Sequence, residues 1–159
     1  MRDLLNILEH DARRSIPELA IMLGRSEEEI IEALKQLQRD KIILNYTTMI
    51  DWEKLGDNTV TAMIEVKVMP EREVGFDTIA ERIYRFDEVK SVYLMSGGFD
   101  LLVVIEGDNL KSIADFVARR LSTIEGVTST SSHFMLKPYK KDGVILEDNE
   151  VDRRQVITP

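Results

Sequence analysis

The chain has 159 residues, a formal net charge of -8, 43% apolar residues and no cysteine. That length allows one domain or two small ones. The lack of cysteine excludes disulfides and thiolate metal sites, and no apolar run approaches the roughly 20 residues that span a bilayer. The acidic balance works against non-specific attraction to nucleic acid, and the opening MRDLLNILEHD has no signal-peptide core, so a cytoplasmic protein is expected.

Residues 2–9 read as a first helix, with Leu4, Leu5 and Leu8 on one face. A second follows over 16–23 with Leu19, Ala20 and Leu23 inward, and a third over 27–40 with Ile30, Ala33, Leu34 and Leu37 inward. Ser15 with Glu18 and Ser26 with Glu29 fit the S-x-x-E capping box, and Pro17 sits in the first turn of the second helix. Gly24 lies between the second and third helices, four residues after Ala20 and six before Ile30. This is the spacing of a helix-turn-helix, where a glycine turns sharply and a small residue lets the helices touch. Residues 42–44 and 46–50 are β-prone and predict a short wing or connecting strand. Residues 51–58, with Gly56, read as a linker.

From Thr59 the pattern changes. Residues 60–69 alternate as a strand, 76–87 form an amphipathic helix and 89–95 a second strand. Gly97-Gly98 reads as a hairpin turn, and Leu101 to Ile105 as a fully apolar third strand. A helix over 109–124 carries Leu110, Ile113, Ala114, Val117 and Leu121 inward, and a last strand spans 127–137. The order βαββαβ is the ferredoxin-like arrangement, with the first and third strands central. The fold class is therefore α+β: a winged helix-turn-helix over 1–50, the linker 51–58, a ferredoxin-like domain over 59–139 and an extension over 140–159. One face of that sheet has no helix layer. Met63, Tyr93, Met95 and Phe134 are the residues expected there, and a second subunit is expected to cover them. The extension has two apolar islands, Val144 to Leu146 and Val156-Ile157, whose β-branched residues favour a hairpin or edge strand over partial disorder.

Two groups of residues carry candidate chemistry. The outer face of the third helix presents Glu28, Glu32, Lys35, Gln36 and Arg39. Lys35 and Arg39 suit phosphate or guanine, Gln36 suits adenine, and a glutamate can accept from a cytosine amino group. Arg13, Arg14, Arg25 and Ser26 near the helix ends suit the DNA backbone. The alternative is a solvated face whose glutamates favour the helix N-terminus. Charge does not decide between these readings, because residues 1–50 hold seven Lys/Arg against nine Asp/Glu. The second group is Ser96, Gly97, Gly98, Phe99 and Asp100, where free amides can hold a carboxylate and Asp100 an ammonium. A plain turn is the competing reading. His10 and His133 lack companions at metal spacing, and no nucleophile–base pair is evident. No catalytic residue, metal or cofactor is expected.

The ordered set Asp11-x-Arg13, Glu18-Leu19-Ala20, Leu23-Gly24-x-Ser26, Leu37 through Ile43 with Tyr46, Ser96-Gly97-x-Phe99-Asp100, and Ile124-Glu125-Gly126-Val127 with Thr128 and Thr130 resembles the Lrp/AsnC family of prokaryotic transcriptional regulators. The likeness runs from about Leu4 to Lys137. It implies a DNA-binding module joined to a ligand-sensing domain, and partners that are promoter DNA, an amino-acid effector and further copies of the chain. Those copies would form a homodimer through the second domain, or a tetramer or octamer, with the effector at the 96–100 turn between dimers. Two departures stand out. Glu28, Glu29 and Glu32 replace the serines and arginines usual in the second helix of the motif, and the tail beyond Tyr139 is longer than usual. Two other functions are weighed: a sensory or assembly protein that does not bind DNA, and an enzyme offshoot like those relatives that decarboxylate tetrapyrroles.

Overall fold

A computed structural model describes residues 1–69 and 75–146. The chain divides into two compact units, residues 1–50 and residues 51 onward.

The first unit holds α1 (Arg2–His10), α2 (Ile16–Leu23) and α3 (Glu27–Arg39). Both capping boxes form. Glu18 Oε2 accepts from the Ser15 N–H at 2.8 Å, and Glu29 Oε2 from the Ser26 N–H at 2.8 Å. The serine hydroxyls accept in return from the Glu18 and Glu29 amides. Each box satisfies two N–H groups that the first turn of a helix leaves without partners. Gly24 ends α2 in the left-handed region, φ 62°. Its N–H donates to Ile21 O, and the Arg25 N–H to Ala20 O at 3.0 Å, the paired bonds of a Schellman turn. Leu4, Leu19, Ala20, Ile30 and Leu37 are buried together, so the apolar spacing in the sequence is the spacing of this core.

Residues 42–50 form no strand. Ile42, Leu44, Tyr46, Met49 and Ile50 are exposed, and only Ile43 packs against the core. A β-prone segment becomes a strand only when another strand accepts its backbone hydrogen bonds, and this unit offers none.

In the second unit, the segment read as a linker contains a short helix, α4 (Trp52–Leu55), whose first turn is closed by Asp51 Oδ1 accepting from the Lys54 N–H at 3.1 Å. There follow β1 (Val60–Val68), α5 (Gly75–Tyr84), β2 (Val89–Leu94), β3 (Leu101–Gly107), α6 (Leu110–Phe116) and β4 (Val127–Phe134). The strands lie in the order β2-β3-β1-β4, all neighbours antiparallel. β1 and β3 are central, as the ferredoxin-like reading requires. Ala62, Ile64, Val66, Leu101, Val103 and Ile105 point to the helices and are buried with Ile79, Ile83, Ile113, Phe116 and Leu121.

The last long helix differs from its expected form. After Phe116 it widens into one π turn, Val117–Leu121. Its buried residues are Ile113, Phe116, Val117 and Leu121, while Leu110 and Ala114 face solvent. Regular α spacing from Ile113 would carry Arg120 toward the core. The wider turn delivers Leu121 there instead and leaves Arg120 at the rim. The Arg120 guanidinium lies 4.4 Å from the Phe86 ring centroid and bonds Glu88 at 2.6 Å.

Gly126 opens β4 at φ 90°, and a Cβ there would lie 2.7 Å from Ile79 Cδ1. Both the backbone and the core neighbour resist a side chain. Gly126→Ala is expected to lower unfolding free energy by about 1–3 kcal/mol, read as a lower urea midpoint with an unchanged slope. An unshifted midpoint would show that both the backbone at 126 and Ile79 accommodate a methyl group freely.

Beyond the sheet, β5 (Lys140–Lys141) pairs with β6 (Val144–Ile145), so the first apolar island of the extension forms the expected hairpin. Val156-Ile157 lie outside the described residues. Among those described, no helix is long and apolar enough to cross a membrane.

Candidate functional site

The helix-turn-helix leaves one face of α3 in solvent, and Glu28, Glu32, Lys35, Gln36 and Arg39 are all on it. Their surroundings differ. Arg39 donates to Glu32 Oε1 at 2.7 Å and to Gln36 Oε1 at 2.7 Å. Gln36 Nε2 donates to both Asp40 carboxylate oxygens, at 2.9 and 2.8 Å. Glu32, Arg39, Gln36 and Asp40 thus form one continuous network along the helix. The Arg39 hydrogen bond and charge hold the Glu32 carboxyl below the usual carboxylate range. Lys35 has no ion pair within 4 Å among the described residues and acts on Glu32 only through space.

The cations at the helix ends also separate. Arg14 is tied to Asp11 at 3.0 Å and to Glu18 at 3.7 Å. The Ser15 backbone and hydroxyl, with a smaller contribution from Arg14, keep the Glu18 carboxyl below its usual range. Arg13 and Arg25 are exposed and have no ion pair among the described residues. The Ser26 hydroxyl accepts from the Glu29 amide, which leaves its own proton able to donate outward. Of the seven residues predicted to meet DNA, Arg13, Arg25 and Lys35 are therefore unengaged cations. Arg14, Gln36 and Arg39 are already bound within the unit. Asp11 and Asp40 hold two of these; the sequence marks Asp11 only as part of a family motif and Asp40 not at all, and neither as a partner of these residues. Their positions three residues before Arg14 and four after Gln36 were the available signal.

The second candidate lies between β2 and β3. The connection is six residues long, Met95 to Asp100, rather than a two-residue turn. The Met95 N–H donates to Asp100 O at 2.8 Å, and the Asp100 N–H to Val66 O at 3.1 Å. Gly97 and Gly98 are exposed, and a Cβ on either would meet nothing within 4 Å. Packing among the described residues does not explain the two glycines, although Gly97, at φ 157°, has a backbone conformation that disfavours a side chain. The Asp100 carboxylate has a structural duty that sequence reasoning missed. Its Oδ2 accepts from the Val68 N–H at 2.9 Å. Val68 follows an irregularity in the β1–β4 register, between Lys67 and Val68. Thr128 Oγ1 donates to Lys67 O on the other side of that irregularity. Spacing in the sequence could not reveal either bond, because the partners are 32 and 61 residues apart.

The uncovered sheet face carries Met63, Glu65, Tyr93, Leu102, Val104 and His133 by strand register. Met63 is 38% exposed and Tyr93 52%. Met95 lies just past β2 and is exposed. Phe134 corrects the expectation: it pairs with Ala62, on the helix side, and packs on the core. The period of two along β4 puts His133, not Phe134, on the open face. On that face His133 Nε2 lies 3.3 Å from Glu65 Oε1 and 3.4 Å from Ser131 Oγ. A proton relay needs carboxylate and hydroxyl on different ring nitrogens, and here both approach the same one. His10 is occupied locally, its Nδ1 2.8 Å from Asn6 O.

Residues 61–145 match the family model described as the Lrp/AsnC ligand binding domain. The chain is 48% identical over 158 residues to YugG, described as an uncharacterized HTH-type transcriptional regulator of Bacillus subtilis (strain 168), covering 99% of this chain and 95% of that protein. It is 33% identical over 137 residues to the HTH-type transcriptional regulator LrpA of Pyrococcus abyssi, covering 86% and 94%. Among solved structures, a transcriptional regulator of Neisseria meningitidis in complex with L-Met superposes with a TM-score of 0.72 at 24% identity, covering 93% of this chain and 94% of that one.

Proposed function

This chain belongs to the Lrp/AsnC family of transcriptional regulators, and from that premise we propose that α3 reads promoter DNA and that the Ser96–Asp100 turn binds an amino acid. The carrying observation is the α2–Gly24–α3 unit: a left-handed glycine cap, two closed capping boxes and an outward face holding Lys35, Gln36 and Arg39. Lys35 is the reading cation, and Gln36 and Arg39 join it once freed from their internal bonds. Arg13, Arg14, Arg25 and the Ser26 hydroxyl hold phosphates and set register. The amides around Gly97-Gly98 receive the effector carboxylate, with Asp100 and the flanking Ser96 and Phe99 completing the site. Open space above both glycines supports close approach by a ligand, and the L-Met bound to the Neisseria neighbour supports the ligand class.

The uncovered sheet face supports a homodimer, since Met63, Tyr93, Leu102 and Val104 form an apolar patch that no helix among the described residues of the second unit covers. Two copies would present two α3 helices to half-sites about 34–36 Å apart. The test is selection of duplexes from a random pool with the full chain at low salt, alongside light scattering. Expected are an enriched site with two symmetric halves and a mass of at least two chains. No enrichment would remove the DNA assignment, and a monomer at micromolar concentration the dimer.

One observation favours a second reading, a sensory or assembly protein that does not bind DNA. Two of the side chains on α3 that would read bases, Gln36 and Arg39, are already bonded to acids of the same unit, Asp40 and Glu32. The selection experiment separates the two.

A further inference from the structure

We propose that Glu32 is a specificity-determining residue of the reading helix, because it occupies Arg39 and so delivers that cation only to DNA that can replace the pair. This rests on the assignment of α3 as the DNA-reading element. The Glu32–Arg39 distance is 2.7 Å, and both side chains are more than half exposed, 64% and 59%. They lie on the outward face, so a duplex approaching α3 meets the pair directly. Arg39 is also bonded to Gln36, and Gln36 to Asp40, so moving the guanidinium disturbs both polar side chains that would read bases.

Two consequences follow from charge and hydrogen-bond chemistry. A random duplex offers Arg39 a phosphate, but taking it leaves the Glu32 carboxylate bare beside a polyanion. Non-specific contacts through Arg39 are therefore suppressed. A duplex with a cytosine amino group opposite Glu32 supplies a donor to the carboxylate at the moment Arg39 leaves, so both groups end up bonded. Glu32 thus turns a general attraction into a conditional one. Glu28 has no ion pair within 4 Å among the described residues, so it repels DNA without conditions.

The test uses the full chain with its selected site and with a random-sequence duplex, followed by fluorescence anisotropy across a salt series. Wild type, Glu32→Gln, Arg39→Ala and the double variant are compared. Both substituted side chains are on the surface, and circular dichroism confirms that helices persist. Glu32→Gln is expected to raise affinity for the random duplex about tenfold at low salt and to steepen its log–log salt slope by about 0.9, as one added phosphate contact does. Affinity for the selected site should rise less or fall, and selection with Glu32→Gln should lose a cytosine preference at one position in each half. In the Arg39→Ala background the same change should give a smaller gain and no steeper slope. Equal gains in both backgrounds would overturn the proposal, since Glu32 would then be only an independent negative charge. No gain in the wild-type background overturns it as well. If wild type binds no duplex at any salt, the DNA reading of α3 falls and this proposal with it.

Discussion

Asp100→Asn is expected to leave the protein folded while abolishing the thermal shift that a bound amino acid produces in the wild type. The choice of asparagine follows from the second duty of Asp100. Its Oδ2 accepts from the Val68 N–H at 2.9 Å, and Val68 is 9% exposed. Alanine would leave that buried N–H without a partner, at a cost of about 1–3 kcal/mol. Loss of response in Asp100→Ala would then be inseparable from loss of structure. Asparagine keeps a carbonyl oxygen for Val68 and removes only the charge that an ammonium needs. At a ligand concentration a hundred times Kd, binding stabilises the folded state by about 2.7 kcal/mol, a shift of several degrees for a chain of this size. The measurement is a melting-curve screen of the twenty amino acids against both proteins. A shift that survives Asp100→Asn would leave Asp100 with only its strand-closing role. Coupling to DNA further requires that the effector bind one assembly or DNA-bound state more tightly than the other.

Lys35→Ala is expected to weaken binding to the selected site by about 1–3 kcal/mol if the side chain meets a base, roughly a 5- to 150-fold loss. The reason for ranking it first among the cations is its freedom. It stands on the outward face of α3 with no ion pair among the described residues, so contact with DNA forfeits no internal bond. Arg13→Ala and Arg25→Ala should instead weaken selected and random duplexes by similar factors and each flatten the salt slope by about one, because phosphate contacts carry no sequence information. Anisotropy titrations on both duplexes distinguish the two patterns. If Lys35→Ala weakens both duplexes equally, Lys35 is a phosphate contact and the base-reading role passes to Gln36 and Arg39.

The first unit was legible because its determinants are local. Capping boxes span three residues, the glycine cap spans one turn, and the inward positions Leu19, Ile30 and Leu37 follow helical spacing. The order of the ferredoxin-like elements was legible for the same reason, and β1 and β3 are central as that arrangement implies, with the apolar run of β3 in agreement. Three misreadings depended on partners distant in sequence or absent among the described residues. Residues 42–50 have strand propensity but no strand beside them. Phe134 needed the β1–β4 register to be placed, and a shift of one residue reverses its face. In the helix over 109–124, Leu121 is inward as its spacing implied, but the exposure of Leu110 and Ala114 and the widened turn at Val117–Leu121 depended on packing against the sheet and Phe86.

The site residues show the same division. Amino-acid type and helical spacing determined by themselves that Glu28, Glu32, Lys35, Gln36 and Arg39 share one exposed face. A helix with a core on one side has no other place for them. Only the folded side chains decided that Arg39 and Gln36 are bound internally while Lys35 is not, because that outcome depends on rotamers and on the competing acids Glu32 and Asp40. Likewise Ser96-Gly97-Gly98-Phe99-Asp100 marked a loop able to approach a ligand. The tertiary structure decided that Asp100 also closes β1 at Val68, since a hydrogen bond across 32 residues exists only once the strands have paired.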